Sequence, residues 1–149
     1  MITIKRTTSE STDFQALVKL LDEYLAFIDG DEHAFYNQFN KVTMIKHAVV
    51  VYYDAEPIGC GAIKAFSDDR MEVKRMYVKP EYRGKGIASL VLKDLENWAS
   101  ELKFPGLVLE TGKKQQEAIQ LYLKNNYNLI PNYGQYIGID NSVCMEKII

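Results

Sequence analysis

The spacing of hydrophobic residues near the start of the chain predicts one strand and one helix. Alternation in "ITIKR" indicates a first strand. In "FQALVKLLDEYLAFI", hydrophobic residues recur every three or four positions, which is typical of a helix that buries one side. That side carries Phe14, Leu17, Val18, Leu21, Tyr24, Leu25 and Ile28. The polar and aromatic segment "DGDEHAFYNQFNK" then predicts a loop and a short helix.

Three hydrophobic stretches joined by short turns come next. The turn residues "DAEP" separate "HAVVVYY" from "IGCGAIKAF", and "SDDR" separates the latter from "MEVKRMYV". Strands joined by such short turns pair side by side in opposite directions. We therefore predict an antiparallel three-stranded meander in the middle of the chain.

The second half of the chain predicts a helix, a strand, a helix and two strands. The long helix "IASLVLKDLENWASEL" would bury Ile87, Leu90, Val91, Leu95, Trp98 and Leu102. "GLVLET" is a short apolar strand, and "KQQEAIQLYLKNNY" is a helix with Ala118, Leu121, Tyr122 and Asn125 on one side. Asn126 is suited to the left-handed conformation at its end. With the strands "YNLIP" and "NSVCMEKI", the pattern predicts one mixed α/β domain over residues 1–149.

Composition narrows the class of protein. No apolar run reaches the roughly 18 residues of a membrane span, and "MITIKRTTSE" lacks a secretory signal, so we expect a cytoplasmic protein without a membrane partner. With 18 basic and 20 acidic residues, no general nucleic-acid surface is expected. Cys60 and Cys144 fit neither a metal nor a disulfide spacing, so we expect buried thiols and no metal site.

One turn, within "YVKPEYRGKGIASLVL" at residues 77–92, carries candidate chemistry. A strand leads through a short loop into a helix by way of two glycines. Free N–H groups at the positive end of a helix bind anions, and Gly84 and Gly86 would let the backbone approach phosphate oxygens. Arg83 and Lys85 add positive charge. An ordinary glycine turn with two solvated cations accounts for these residues equally well.

The sequence excludes the two common nucleotide-binding loops. A dinucleotide fingerprint needs a third glycine where "GKGIAS" has Ser89, and it opens a βαβ unit instead of following a meander. The Walker sequence is absent. An anion at this turn would therefore be held by another kind of loop.

The segment "RGKGIA", residues 83–88, resembles the Arg/Gln-x-x-Gly-x-Gly/Ala signature with which GCN5-related N-acetyltransferases, the GNAT family, bind the pyrophosphate of acetyl-coenzyme A (acetyl-CoA). Before it, "MEVKRMYVKPEYR" is similar to that family's central strand and pyrophosphate loop. After it, "ETGKKQQEAIQLYLKNNY" is similar to the second family motif, N-x-x-A-x-x-L-Y-x-x-x-G-F. The motifs cover roughly residues 47–130. The resemblance implies a mostly antiparallel central sheet, flanked by helices and splayed between its central strands.

The chain departs from the second motif at two places. Gln115 stands where the family commonly has Asn, and Asn126-Tyr127 replaces Gly-Phe. Glutamine keeps an amide, asparagine tolerates positive φ, and tyrosine keeps the aromatic ring. The contact between Gln115 and the cofactor is thus an expectation that the motif alone does not decide.

The resemblance also implies which residues contact acetyl-CoA. The pantetheine arm would lie along the backbone of Met76, Tyr77 and Val78. The pyrophosphate would be surrounded by Gly84, Lys85, Gly86, Ile87, Ala88 and Ser89, with Arg83 and Gln115 as further contacts. These residues would position the cofactor and take no covalent part.

Acetyl transfer to an amine requires a base for the amine proton and an acid for the departing thiolate. By the resemblance, Glu72 occupies the position of the base, while Glu110 or a water molecule remain alternatives, as does an exposed Glu72 without a role. Tyr122 occupies the position of the tyrosine that protonates the coenzyme A thiolate. Its place on the helical stripe also fits core packing.

The acceptor site implied by the family lies in "DGDEHAFYNQFN" and "PNYGQYIGID". Candidate attractors of a cationic amine are Asp29, Asp31 and Glu32, and candidate pocket residues are Phe35, Tyr36, Phe39, Tyr133 and Tyr136. A solvated acidic loop with packing aromatics is the alternative. His33 and His47 are isolated and receive no role.

The expected function is N-acetylation of a primary amine on a small molecule or amino acid, by direct attack in a ternary complex with acetyl-CoA. Acetylation of a protein or peptide is one alternative, and a non-catalytic acyl-CoA sensor is another. Family members are often homodimers, so a homodimer is a candidate assembly here.

Overall fold

The computed structural model describes residues 1–30 and 44–149. Its helices and strands are, in chain order, β1 (Ile2–Thr7), α1 (Thr12–Asp29), β2 (His47–Tyr53), β3 (Glu56–Ser67), β4 (Arg70–Val78), α2 (Ile87–Glu101), β5 (Gly106–Gly112), α3 (Gln116–Lys124), β6 (Asn128–Ile130) and β7 (Ser142–Ile148). Short 3-10 turns lie at Pro80–Tyr82 and Gly134–Tyr136. This order confirms the mixed α/β prediction.

In the described residues, seven strands form one sheet in the order β1-β2-β3-β4-β5-β7-β6. The pair β4 and β5 is parallel, and the other neighbouring pairs are antiparallel. Strands β2, β3 and β4 are consecutive in both sequence and sheet, so the predicted meander is confirmed. The chain crosses over between β4 and β5 through α2, as a parallel pair requires.

Helix α1 covers one face of the sheet. The side chain of Ser11 accepts a hydrogen bond from the N–H of Phe14 at 3.2 Å, which caps the first turn. Of the predicted stripe, Phe14, Leu17, Val18 and Leu21 are buried against strand residues of this face, whereas Tyr24, Leu25 and Ile28 are half-buried. The last turn of α1 therefore reaches the edge of the core.

Helices α2 and α3 cover the opposite face. Gly61 permits the close approach of α2, because a Cβ at this position would lie 2.5 Å from Met76 Sδ and 2.8 Å from Val91 Cγ1. Asn126 ends α3 with φ 72°, and the N–H of Tyr127 donates to the carbonyl of Tyr122 at 3.0 Å. The predicted left-handed helix end is thus confirmed.

The predicted buried side of α2 is wrong at two positions. Ile87, Val91 and Leu95 are buried, but Leu90 and Leu102 are exposed, and Leu92, Glu96 and Ala99 are buried in their place. Glu96 is covered because the hydroxyl of Tyr127 donates to its Oε2 at 3.1 Å and Lys147 Nζ donates to its Oε1 at 2.9 Å. Contacts from Tyr127, just after α3, and from Lys147, on β7, therefore bury a side of α2 that the hydrophobic pattern did not predict.

Cys60 and Cys144 are free, buried thiols on β3 and β7. The predicted short helix after Gly30 lies outside the described residues. None of the helices in the described ranges is long and apolar enough to cross a membrane.

Candidate active site

Strands β4 and β5 separate soon after they pair. Their register covers Arg70 with Gly106, Met71 with Leu107, and Glu72 with Val108. Beyond Glu72, β4 continues to Val78 and β5 continues to Gly112, but the two strands no longer pair with each other. The gap opens into a cavity of about 710 Å³, hereafter the cleft, which is walled by α1, β4, β5, the first turn of α2 and the length of α3. The predicted splay of the central sheet is confirmed.

A bulge in β4 lies at the point where the strands separate. Arg75 has φ 61°, and the pairing with β3 shifts so that Ala62 faces Lys74 while Cys60 faces Tyr77. Burial lowers the pKa of Arg75, an effect that the neighbouring Asp22 opposes. The bulge bends β4 away from β5 and brings a buried guanidinium to the cleft wall.

The glycine turn forms one end of the cleft. Gly84 and Gly86 have φ values of 76° and 80°, and a Cβ added to either would meet no atom within 4 Å. Glycine is therefore needed for the backbone conformation, while the space beside it is open. Gly86 precedes α2 without a side-chain cap, and residues 87–89 line the cleft. The first-turn N–H groups of α2 have no partner within the helix and lie where an anion can reach them.

The two cations of this turn are placed differently. Arg83 lines the cleft, donates from Nε to the carbonyl of Val78 at 2.8 Å, and lies 5.5 Å from the ring centroids of Tyr24 and Tyr77. Lys85 is not part of the cleft wall, and its ammonium lies 5.7 Å from the ring centroid of Tyr82. Arg83 thus fastens the turn to the end of β4, and Lys85 contributes charge from outside the wall.

The end of β4 supplies main-chain groups to the cleft. Met76, Tyr77 and Val78 all line it. On one side Tyr77 and Val78 pair with Cys60 and Gly59, but on the other side β5 has already turned away. An extended chain that approaches from the cleft therefore meets a strand edge.

Two carboxylates line the cleft near the point where β4 and β5 separate. Glu72 faces Val108 across the strand pair, and Glu110 is two residues beyond Val108, so both side chains project from the same face of the sheet. Glu72 is 8% exposed. Its Oε2 accepts a hydrogen bond from the hydroxyl of Tyr133 at 2.5 Å, and Lys74 Nζ lies 3.4 Å from its Oε1. Glu110 is half-buried.

Two tyrosines line the same cleft as the carboxylates. Tyr122 on α3 is buried in the cleft wall, and its ring packs edge to face against Tyr127 with centroids 5.8 Å apart. Burial and the charge of Glu110 raise the pKa of Tyr122, so its hydroxyl keeps its proton near neutral pH. Burial, Glu110 and Glu72 likewise raise the pKa of Tyr136, which also lines the cleft. The cleft wall thus combines two carboxylates with two proton-bearing hydroxyls.

The start of α3 also lines the cleft. Gln115 lines the cleft just before α3, its N–H donates to the carbonyl of Gly112 at 3.0 Å, and its side chain does not cap the helix. Ser89 Oγ accepts a hydrogen bond from Asn125 Nδ2 at 3.2 Å, which ties the start of α2 to the end of α3. Both predicted contact residues are therefore at the cleft.

Part of the expected acceptor site falls on residues that the structure does not describe. Asp31, Glu32, His33, Phe35, Tyr36 and Phe39 are outside the described residues, as is the side chain of Asp29. His47 packs edge to face on Trp98 at 4.8 Å, away from the cleft, where burial and Lys46 lower its pKa. No cluster of potential metal ligands occurs within residues 1–30 and 44–149.

Sequence patterns did not single out Arg75 and its partner Asp22, which no spacing could pair. Tyr133 was expected to line a pocket, but it is not part of the cleft wall, and its hydrogen bond to Glu72, far away in sequence, was not predicted. The one local signal was the adjacent pair Lys74-Arg75, which breaks the alternation of "MEVKRMYV".

Comparison with known proteins places this geometry in a family. The family model described as "Acetyltransferase (GNAT) family" matches residues 14–127. An IAA acetyltransferase from Azospirillum brasilense is 31% identical over 150 residues, which cover 98% of this chain and 97% of that protein.

Solved structures share the fold over their whole length. A protein from Klebsiella pneumoniae subsp. pneumoniae MGH 78578, provisionally assigned as an acyl-CoA N-acyltransferase, superposes with a TM-score of 0.83 at 30% identity, covering 99% of this chain and 97% of that one. The PaiA N-acetyltransferase of Thermoplasma acidophilum, in complex with coenzyme A, has a TM-score of 0.74 at 18% identity, with coverage of 100% and 99%. The chain belongs to the GNAT family and is an acetyl-CoA-dependent N-acetyltransferase.

Proposed function

We propose that this enzyme transfers the acetyl group of acetyl-CoA to the primary amine of a small molecule or amino acid, by direct attack in a ternary complex. Acetyl-CoA supplies the acetyl group as an activated thioester. The observation that carries the proposal is that Glu72 and Tyr122, a carboxylate and a protonated hydroxyl, line one cleft at the point where β4 and β5 separate.

The cleft fits a diphosphate at one end and an extended arm along its floor. The diphosphate would lie against the N–H groups of residues 84–89, where the glycines leave room for its oxygens. The pantetheine arm would pair with the backbone of Met76, Tyr77 and Val78 on the side that β5 leaves open. Arg83 keeps the turn in place, and Gln115 offers an amide from the cleft wall.

Glu72 is the proposed general base. A primary alkylamine is mostly protonated at neutral pH and must lose a proton before it can attack a carbonyl carbon. Glu72 would accept this proton directly or through a water molecule. Glu110 lines the same cleft and stays the alternative base. A comparison of Glu72→Gln with Glu110→Gln distinguishes the two.

Tyr122 is the proposed general acid. Its raised pKa keeps the proton on the hydroxyl, and its place in the cleft wall lets it donate to the sulfur of the departing thiolate. The same hydroxyl cannot act as a base near neutral pH. The two proton-transfer roles thus fall on different side chains.

A small acceptor is favoured over a peptide by the A. brasilense relative, which is named as an acetyltransferase for IAA. Glu72, Glu110 and Tyr136 line the cleft. An ammonium group would find two carboxylates there. Peptide acetylation and cofactor sensing are the competing functions, and neither has an observation in its favour.

Thermal shift followed by an amine screen tests the proposal. Acetyl-CoA at about 100 times its Kd should stabilise the protein by about 2.7 kcal/mol, or roughly 5–10 °C in Tm, while NAD and ATP should not. Coenzyme A thiol release is then measured with aliphatic amines, aromatic amines, amino acids and peptides. Release with peptides alone would favour the second function, and tight binding without any release would favour the sensor.

A further inference from the structure

We infer that Tyr133 is a positioning residue, which holds the Glu72 carboxylate from behind and leaves one of its oxygens to take the proton of the acceptor amine. The inference rests on the proposed role of Glu72 as the base. It assigns a function to the connection between β6 and β7, whose structure the sequence did not predict.

The position of Tyr133 differs from that of the other tyrosines. Glu72, Tyr122 and Tyr136 line the cleft, whereas Tyr133 does not. Its hydroxyl nevertheless donates to Glu72 Oε2 at 2.5 Å. Because Tyr133 occupies Oε2, the proton of the acceptor amine would go to Oε1. Oε1 forms an ion pair with Lys74 Nζ at the longer distance of 3.4 Å, and Lys74 also lines the cleft.

The ring of Tyr133 is itself fixed in place. Phe66, at the end of the β3–β4 hairpin, packs against it with centroids 4.8 Å apart and planes at 67°. Tyr136 packs on it at 5.8 Å and 89°. A backbone hydrogen bond links Tyr133 to the Cys144 thiol on β7. These contacts therefore fix the direction from which the hydroxyl reaches Glu72. Little conformational freedom of the Tyr133 side chain is lost when the hydrogen bond forms.

The backbone around Tyr133 is braced as well. Asn132 Nδ2 donates to the carbonyls of Tyr136 at 3.1 Å and Ile139 at 3.0 Å, across the turn that carries the ring. Burial and the charge of Glu72 raise the pKa of Tyr133, so the hydroxyl stays a donor. A carboxylate held by a fixed donor keeps one orientation, which a general base needs for in-line proton transfer.

A double-mutant cycle tests the inference. Tyr133→Phe removes only the hydroxyl and keeps the packing on Phe66 and Tyr136. With acetyl-CoA and the fastest-reacting amine of the screen, we expect Tyr133→Phe to lower kcat about tenfold or more and to leave KM for acetyl-CoA unchanged. In a Glu72→Gln background the same change should have almost no further effect on kcat.

Tyr52→Phe is the matched control. The Tyr52 hydroxyl donates to Asp13 Oδ2 at 2.7 Å, a tyrosine–carboxylate contact that is also partly buried but lies away from the cleft. Its loss should weaken the fold without lowering kcat. A fall in kcat equal to that of Tyr133→Phe would mean that both act through general destabilisation, and would overturn the inference.

The remaining outcomes separate the inference from the proposed function. Wild-type kcat in Tyr133→Phe, or independent multiplicative losses in the cycle, overturn the positioning role and leave Glu72 as the base. Wild-type kcat in Glu72→Gln removes the base and the inference together. The same cycle in urea unfolding reports the contact without any acceptor, and additive effects on unfolding would refute it even if no amine reacts.

Discussion

Arg75 and Asp22 form an ion pair beside the cleft, with 2.8 Å between Nη1 and Oδ1. The arginine side chain is 3% exposed and projects from the bulge of β4, while the aspartate lies on α1. The pair therefore holds α1 against the sheet at the level where β4 leaves β5. It also compensates a charge that burial disfavours.

Asp22→Asn should destabilise the protein. Asparagine keeps the shape but removes the negative charge, which leaves the Arg75 guanidinium buried and uncompensated. We expect a loss of about 1–3 kcal/mol in the free energy of unfolding, measured with urea. Asp54→Asn is the control, because Asp54 pairs with the N-terminal amine at 3.0 Å in full solvent and should cost far less. Equal losses in the two variants would contradict a role for burial.

Gly86→Ala should weaken cofactor binding more than it weakens the fold. Alanine at φ 80° costs about 1 kcal/mol of strain, and its methyl group would enter the open space beside the turn. We expect Kd for acetyl-CoA, measured calorimetrically, to rise about tenfold or more.

Gly138→Ala is the matched control for this glycine. Gly138 has φ 81° and likewise meets no atom within 4 Å of an added Cβ, but it is not part of the cleft wall. The strain should be similar and the affinity unchanged. Similar affinity losses in both variants would attribute the effect to strain and not to the phosphate site.

Tyr122→Phe should lower turnover and leave the affinity for acetyl-CoA nearly intact. Phenylalanine keeps the ring contact with Tyr127 but cannot donate a proton. General acid catalysis typically contributes about 10²–10⁴-fold, so a fall in kcat of at least about tenfold is expected in a thiol-release assay. Unchanged kcat would remove Tyr122 from the mechanism and leave it as a packing residue.

The stability of the fold should decline at alkaline pH. Burial and the charge of Glu96 raise the pKa of Tyr127, so above about pH 10 the unfolded chain loses a proton that the folded chain retains. The free energy of unfolding then falls with rising pH, by about 1.4 kcal/mol per pH unit for each such tyrosine. Burial also raises the pKa of Cys60 to about 12 and of Cys144 to about 11. Because a thiol of the unfolded chain loses its proton at a lower pH than a tyrosine does, these two residues make the free energy of unfolding start to fall at lower pH.

Tyr127→Phe isolates one tyrosine in this pH dependence. Between pH 10 and 11 its slope in urea unfolding should be shallower than that of the parent by about one proton. Between pH 6 and 8 the two slopes should coincide, because Tyr127 is protonated in both states there. A parent slope that stays flat up to pH 11 would refute the burial of these ionisable groups.

Local patterns predicted the elements well where one physical cause was dominant. The bounds of β2 agree with the stretch "HAVVVYY", because the turn residues "DAEP" end a mostly apolar run. The turn at Gly84 and Gly86 was recognised because positive φ selects glycine regardless of surroundings. The buried side of α2 was predicted less well, since Tyr127 and Lys147 approach it from outside the helix and cover Glu96.

The candidate site likewise contains some residues that local sequence predicted and some contacts that only the tertiary structure decided. Glu72, Tyr122 and the glycine turn were proposed from motifs that lie within short segments of the chain, and the fold brings them to one cleft. The sequence alone thus determined the order of elements, the glycine turn and the family, because each depends on local backbone geometry or on the spacing of a few residues. Only the tertiary structure decided the bulge at Arg75, its pairing with Asp22 and the hydrogen bond from Tyr133 to Glu72. These contacts join distant segments, and which segments meet depends on how the whole sheet pairs and packs.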